Sequence, residues 1–225
     1  MAAISFIIPV LNEEALVGDL LAFLRCRFPS AELVVVDGNS SDNTCEVARA
    51  ACDQLLEVGK GRAWQMNAGA ATATGQYLLF LHADTRPGVS EAQLQSYLSG
   101  QPGWGFSRVR LDGEEFIYRV IEWTMNWRSR LTRVGTGDQM LFVRRDVWGH
   151  TGGFDNIPLM EDVEYCKRLR RLSAPCILKQ AAQTSSRRWR QYGVARTVLH
   201  MWALRLAYFL GVPPQRLYQS YYGGA

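Results

Sequence analysis

The sequence predicts an α/β fold: an open, doubly wound, mostly parallel sheet with flanking helices and a C-terminal helical segment. Three observations predict it. Short β-rich apolar runs alternate with stretches whose apolar residues recur at helical spacing. Polar residues gather just after the strands, where open sheets of this kind bind ligands. A chain of 225 residues, 48% hydrophobic, suits one domain with a sizeable core, or one domain with an appendage.

Ile4-Ser-Phe-Ile-Ile-Pro-Val10 reads as a buried parallel strand, apolar on both faces and ended by Pro9 and Asn12. Glu13 to Arg25 carries Leu16, Leu20, Leu21 and Leu24 at helical spacing. Leu33 to Val36 is a second strand, followed by the turn Asp37-Gly-Asn-Ser-Ser-Asp42. Asp42 or Ser41 can cap a helix running through Cys52. Gln54 to Val58 is a short third strand, Ala63 to Ala73 a helix, and Tyr77 to Leu81 a fourth strand cut off by His82-Ala-Asp-Thr-Arg-Pro87. The second half is less regular. Trp104 to Leu111 reads as a strand and Glu115 to Arg130 as an aromatic-rich helix. Thr136 to Arg144 leads into a strand at Gln139 to Val143, Gly152-Gly-Phe154 is a turn, and Glu161 to Leu172 a helix. Val194 to Leu210 is a last, largely apolar helix stopped by Gly211 and Pro213-Pro214.

The net charge of +4 conceals an asymmetry. Tyr165 to Ala225 holds eleven Lys or Arg and no Asp or Glu, which leaves 14 basic and 21 acidic residues in the front. A basic tail suits anionic partners such as a diphosphate or a membrane surface. Five cysteines without CxxC spacing argue against a disulfide framework or zinc site and for a reducing cytosol; no secretory signal is visible.

Asn12, Asp37 and Asp84 fall after three different strands. Asp37 can accept bonds from a ribose or base, or close an Asx-type turn. His82 and Asp84 alternate along extended chain and share a side, a pair suited to Mg²⁺ or Mn²⁺ bridged to a diphosphate, or to a plain turn. Lys60 and Arg62 precede a helix N-terminus, where phosphate binds naturally, while Gly69 reads as a close helix–sheet contact. Glu161-Asp162 opens a helix; an aspartate there can stay ionised as a general base. Arg187-Arg-Trp-Arg190 gathers three guanidiniums around an indole, as a diphosphate clamp, a membrane contact or a solvated surface.

Together these residues resemble a family 2 glycosyltransferase of the GT-A (Rossmann-like) fold. The parts follow the family's order: Pro9-Val-Leu-Asn-Glu13, Val36-Asp-Gly-Asn-Ser-Ser-Asp42, Asn67 to Gly75, Leu81-His-Ala-Asp84, Gly152-Gly-Phe154 and Glu161-Asp162. More narrowly, Leu81 to Thr85, Gly137-Asp-Gln139, Pro158 to Asp162 and Arg188-Trp189 resemble a bacterial radical-SAM/selenodomain-associated (arsenosugar-type) subgroup. The resemblance implies a GT-A domain over 1–190 and a helical appendage over 191–225, packed on it or at a membrane interface. It implies that Pro9, Asn12, Glu13, Asp37, Asn39, Lys60, Arg62, Asn67, Asp84, Arg188 and Trp189 hold a nucleoside-diphosphate sugar, uridine being the family's usual base. Asp84, the surviving aspartate of the DxD motif, would hold a divalent metal, Mn²⁺ or Mg²⁺, with His82 standing where the first aspartate belongs. Asp162, with Glu161, would be catalytic and deprotonate an acceptor hydroxyl during inverting transfer.

The competing reading is a nucleotide-sugar-binding protein whose catalysis His82 has abolished; retention of Glu161-Asp162 argues against it. A pyrophosphorylase would need a glycine-rich loop after the first strand, and Val10-Leu-Asn-Glu-Glu14 is not one. No nucleic-acid signature accompanies the arginines. The expectation is a cytoplasmic enzyme whose last helix packs, forms a homodimer contact or lies peripherally on a membrane.

Overall fold

A computed structural model describes residues 3–222, the side chains of Arg188 and Tyr222 excepted. Its centre is one eight-stranded sheet in the order β3-β2-β1-β4-β7-β6-β8-β5. The strands are β1 (Ile4–Val10), β2 (Glu32–Asp37), β3 (Gln54–Glu57), β4 (Tyr77–Phe80), β5 (Thr85–Arg86), β6 (Trp104–Leu111), β7 (Leu141–Arg144) and β8 (Cys176–Thr184). β1 pairs in parallel with β2 and β4, as do β2 with β3 and β6 with β8. The pairings β4–β7, β6–β7 and β5–β8 are antiparallel.

Both faces of the front strands are buried, so each strand is apolar throughout rather than alternating. Phe6 and Ile8 pack with Leu20, Leu21 and Leu24 of α1 (Glu14–Arg27) and with Leu94 of α4 (Glu91–Leu98). Ile7, Val34 and Phe80 face the other way, onto Met66 of α3 (Arg62–Thr72) and Tyr165 and Leu169 of α7 (Glu161–Leu172). α3 lies close to the sheet because of Gly69, where an added Cβ would stand 2.7 Å from Ile7 Cγ2 and 2.8 Å from Val36 Cγ2.

Sheet order reverses between β1 and β4, which makes the gap beyond their carboxyl ends a topological switch point. Register places Val10 beside Asp37 and Ile7 beside Phe80. Pro9 lies beyond the last β1–β4 pair, so its missing N–H interrupts no ladder with β4. The residues after β1, β2 and β4 therefore share one rim.

Several elements differ from the sequence reading. The strand expected from Gln139 begins at Leu141, because Gln139 closes a 3-10 turn (Gly137–Gln139) and points inward. Its amide oxygen accepts from Thr136 N and Ser129 Oγ, and its nitrogen donates to Ser107 O. Met140, at φ 42°, then swings the chain into the strand. The helix expected through Cys52 is α2 (Thr44–Arg49), and Asp42 accepts from Thr44 N at 3.0 Å. β5, β8, α4, α6 (Arg145–Thr151), α8 (Arg187–Tyr192) and α10 (Pro214–Tyr222) went unread. The remaining helices are α5 (Phe116–Thr132) and α9 (Val194–Phe209). α9 seats Leu204 against Leu159, Met160 and, on α10, Leu217.

Candidate active site

The rim is built first by hydrogen bonds between loops. Gln65 of α3 donates its Nε2 to Val10 O (2.8 Å) and Val36 O (2.9 Å), fixing the ends of β1 and β2. The Asp37 carboxylate is buried and accepts from Ser40 N at 2.8 Å and from the Ser40 hydroxyl. Ser40 Oγ accepts in turn from Asn12 N (2.8 Å), and Asn12 Oδ1 accepts from Ser41 N (2.8 Å). Asn12 (φ 54°) and Asn39 (φ 70°) take the left-handed conformation that asparagine tolerates best among non-glycine residues. Asn12, Asp37, Ser40 and Ser41 thus form one bonded corner, with Asn39 in the turn between Asp37 and Ser40.

Glu13 links that corner to the rest. Burial raises its pKa, Arg187 opposes the rise, and Asp84 adds to it. Asp84 lies on the loop after β4 and accepts from Thr85 Oγ1 at 3.2 Å. A further acid stands beside it. Asp138, in the 3-10 turn, has its carboxyl pushed up to about 6, chiefly by burial and then by the charges of Asp84 and Asp162, with Arg62 and Arg128 pulling against them. Its side chain opens to solvent on one side (43% exposed) while protein closes round the remainder.

His82 Nδ1 lies 3.8 Å from Asp138 Oδ1. The imidazole is neutral, its pKa held down at about 3 by burial and by Arg62, and its Nε2 is buried with no hydrogen-bond partner among the described residues. Gly137 packs flat on that ring, where any Cβ would collide with it. The same glycine donates its N–H to Asp162 Oδ2 at 3.1 Å, and Val163 N donates to Asp162 Oδ1 at 2.7 Å. Asp162 is nevertheless raised above an ordinary aspartate because burial outweighs these donors and Arg62. Glu161, also buried and raised, faces Arg62 at 3.6 Å. Arg62 therefore acts on His82, Asp138, Glu161 and Asp162 together. Arg128 of α5 is buried near Asp162 and Asp138, its Nε without a hydrogen-bond partner among the described residues.

Other expected residues are placed differently. Asn67 is tied to the Gly152-Gly-Phe154 turn: its Nδ2 donates to Phe154 O (2.8 Å) and its Oδ1 accepts from Phe154 N (2.9 Å). Trp189 packs into the cluster of Leu111, Tyr118 and Ile121. Lys60 is exposed in the loop before α3. The Arg188 side chain falls outside the described residues, and it is the neighbouring Arg187 whose charge reaches Glu13. Asp138 and Arg128 carry no site signal in the sequence, whereas Arg187 belongs to the arginine cluster read there as a candidate diphosphate clamp. Gly137-Asp-Gln139 was noticed only as a subgroup motif, and it is the turn that brings Asp138 into the site.

Asp84 and Asp162 both raise the Asp138 carboxyl, and the buried Nε2 of His82 lacks a hydrogen-bond partner among the described residues. Among the described residues, no group of three or more His, Cys, Asp or Glu side chains is placed to hold a metal ion.

A family model described as Glycosyl transferase family 2 matches residues 5–153. The poly-beta-1,6-N-acetyl-D-glucosamine synthase of Staphylococcus epidermidis is 34% identical over 89 residues, 36% of this chain and 22% of that one. The chain thus matches about a fifth of that relative's length. S. aureus TarS 1-349 in complex with UDP superposes at a TM-score of 0.65 with 15% identity, covering 81% of this chain and 60% of that one. The mannosyltransferase PcManGT from Pyrobaculum calidifontis, in complex with GDP-Man and Mn2+, superposes at 0.64 with 19% identity, covering 92% and 61%. At these identities the structures establish the fold, a mixed α/β sheet of the GT-A kind.

Proposed function

The chain belongs to glycosyl transferase family 2, and we propose that it moves a sugar from a nucleoside-diphosphate sugar to an acceptor hydroxyl with inversion at the anomeric carbon. The observation that carries this reading is Asp162: a half-buried carboxylate at a helix start, oriented by two backbone N–H groups and facing Arg62, Arg128 and Asp138. The complexes of structural neighbours with UDP and GDP-Man support a nucleotide-sugar donor. The subgroup motifs, Leu81 to Thr85 and Gly137 to Gln139 among them, support the narrower radical-SAM/selenodomain-associated assignment.

In this reading the Asn12–Asp37 corner, Asn39 and Glu13 hold the nucleoside, and Asn67 positions the Phe154 turn. An acceptor oxygen forms its bond to the anomeric carbon as the bond to the diphosphate oxygen breaks. The nucleoside diphosphate leaves with the electron pair, and the acceptor proton passes to the Asp162 carboxylate. Burial raises the basicity of that carboxylate, and the N–H donors fix its direction. Arg62 and Arg187 supply positive charge where negative charge develops on the leaving group. Asp84, with His82, would hold a divalent ion, Mn²⁺ or Mg²⁺, which would supply charge neutralisation at the diphosphate; the Mn2+ complex of a structural neighbour supports this. Glu161 keeps Arg62 in place.

Asp162→Asn tests the assignment. Thermal shift with nucleoside diphosphates and their sugars, with and without Mn²⁺, should be unchanged, because the variant leaves the nucleoside corner intact. Release of nucleoside diphosphate should fall by roughly 10²–10⁴. Wild-type turnover by this variant would remove Asp162 as the base.

A further inference from the structure

The outer faces of α5 and α9 are apolar and uncovered. On α9, Leu199, Trp202, Leu206 and Phe209 follow one another at helical spacing, Trp202 71% and Phe209 84% exposed. On α5, Phe116, Val120, Trp123 and Trp127 do the same; Trp123 is 65% exposed, and the two indoles stack at 6.2 Å. The inner faces are already used. Leu204 of α9 packs on Leu159 and Met160, and Tyr118 and Ile121 of α5 pack on Leu111. The two helices adjoin, because Trp189 and Val194, at the entry to α9, pack into the α5 cluster. Patches of large exposed aromatics on this scale mark interaction surfaces.

Charge selects the occupant. The segment from Tyr165 to Ala225 carries eleven Lys or Arg and no acid, Arg196 and Arg205 on α9 among them. α5 adds the exposed Arg130 and, just past its end, Arg133; its acids are Glu114 and Glu115 at the start and Glu122, paired with Arg119 at 2.9 Å. A second copy meeting this face through a two-fold axis would appose like positive charge with like. An anionic lipid surface complements both the charge and the apolar stripe, and tryptophan favours the headgroup boundary. Among the described residues no helix is long and apolar enough to cross a bilayer. α9 would therefore lie in the interface plane.

We propose that the outer stripe of α9, with the adjoining stripe of α5, docks this protein on an anionic bilayer surface. α9 also braces the site. Val163, next to Asp162, packs in the α9 cluster, and Tyr208 donates its hydroxyl to Glu164. On the transfer reading above, and resting on it, an acceptor carried in the bilayer would approach Asp162 from this side.

Flotation with vesicles of phosphatidylcholine mixed with phosphatidylglycerol, without donor, tests the docking separately from transfer. The protein should float with them and bind roughly tenfold less to pure phosphatidylcholine vesicles or in high salt. The triple variant Trp202→Ser/Leu206→Ser/Phe209→Ser should lose roughly tenfold in vesicle binding while keeping its circular dichroism and its thermal shift with nucleoside diphosphates. Unchanged flotation of that variant, absence of wild-type flotation, or a stable dimer in solution that ignores vesicles would each overturn the proposal. Should the triple variant unfold, Trp123→Ser/Trp127→Ser on the α5 stripe replaces it, with the same expected loss.

Discussion

Glu161 shows at the scale of one residue that this site is held against the preference of its own side chains. Its carboxylate is buried and its pKa raised, with desolvation and Asp162 outweighing Arg62. A group whose folded pKa exceeds its unfolded value contributes stability below the unfolded value, about 4.5, and loses it as pH rises through the folded one. Glu161→Gln removes that loss. The variant should therefore be more stable than wild type at neutral pH by about 1–2 kcal/mol, a few degrees in Tm, with the difference vanishing below about pH 4. A lower Tm at neutral pH would show that the Arg62 ion pair outweighs desolvation. Acids at strand ends and helix starts could be read from sequence because their neighbours state their position: Asp37 follows Val-Val-Val, Asp84 follows Leu-Phe-Leu-His-Ala, and Asp162 opens an apolar-periodic run. Asp138 could not be read as a site residue in this way. It sits in a turn that local pattern assigns to the approach of a strand, and only tertiary packing sets that turn against His82 and Asp162.

Elements far apart in the chain are joined by few but specific bonds, and Asn67 is the clearest of these. Its carboxamide meets both the N–H and the C=O of Phe154, 87 residues away, and so ties α3 to the turn that precedes α7. Asn67→Ala leaves two backbone groups without their partner, and should cost about 1–3 kcal/mol. Faster hydrogen exchange at the Phe154 amide, measured beside Tm, would place the loss at this link; an unchanged Tm would show that water replaces the side chain. Front elements could be read because burial on both faces makes β1, β2 and β4 plain apolar runs. β8 hides because only part of it is buried, with Lys179 and Gln183 exposed, and because β6 shifts register between Ser107 and Arg108. α4 carried a readable signal: Ser90 and Gln93 form a capping box, accepting and donating across its first turn. Its eight residues bury only Leu94 and Leu98, too weak an apolar period to stand out.

Over the whole molecule, the charge asymmetry of the chain becomes a division of labour. The acidic segment up to Glu164 builds every strand of the sheet but β8 and the Asn12–Asp37 corner, while the basic segment from Tyr165 supplies the helices packed against the turn before Asp162. Met160, immediately before α7, sits at φ 70°, a conformation a side chain adopts only when its surroundings enforce it. Its surroundings are the cluster of Leu159, Leu204 and Leu217, so α9 and α10 stabilise the turn from which Asp162, the proposed base, projects. Leu204→Ala should therefore act at a distance. A large-to-small change at a 4% exposed position costs about 2–5 kcal/mol where the site cannot collapse. Here the loss should be confined largely to α9, α10 and the start of α7, whose contacts with the main sheet are sparse. Hydrogen exchange should quicken across residues 159–164 and α9 while β1, β2 and β4 stay protected. Donor binding, which depends on the front rim, should persist, and transfer should fall because Asp162 loses its fixed direction toward the acceptor. Equal loss of donor binding and transfer would show instead that the two halves unfold as one unit.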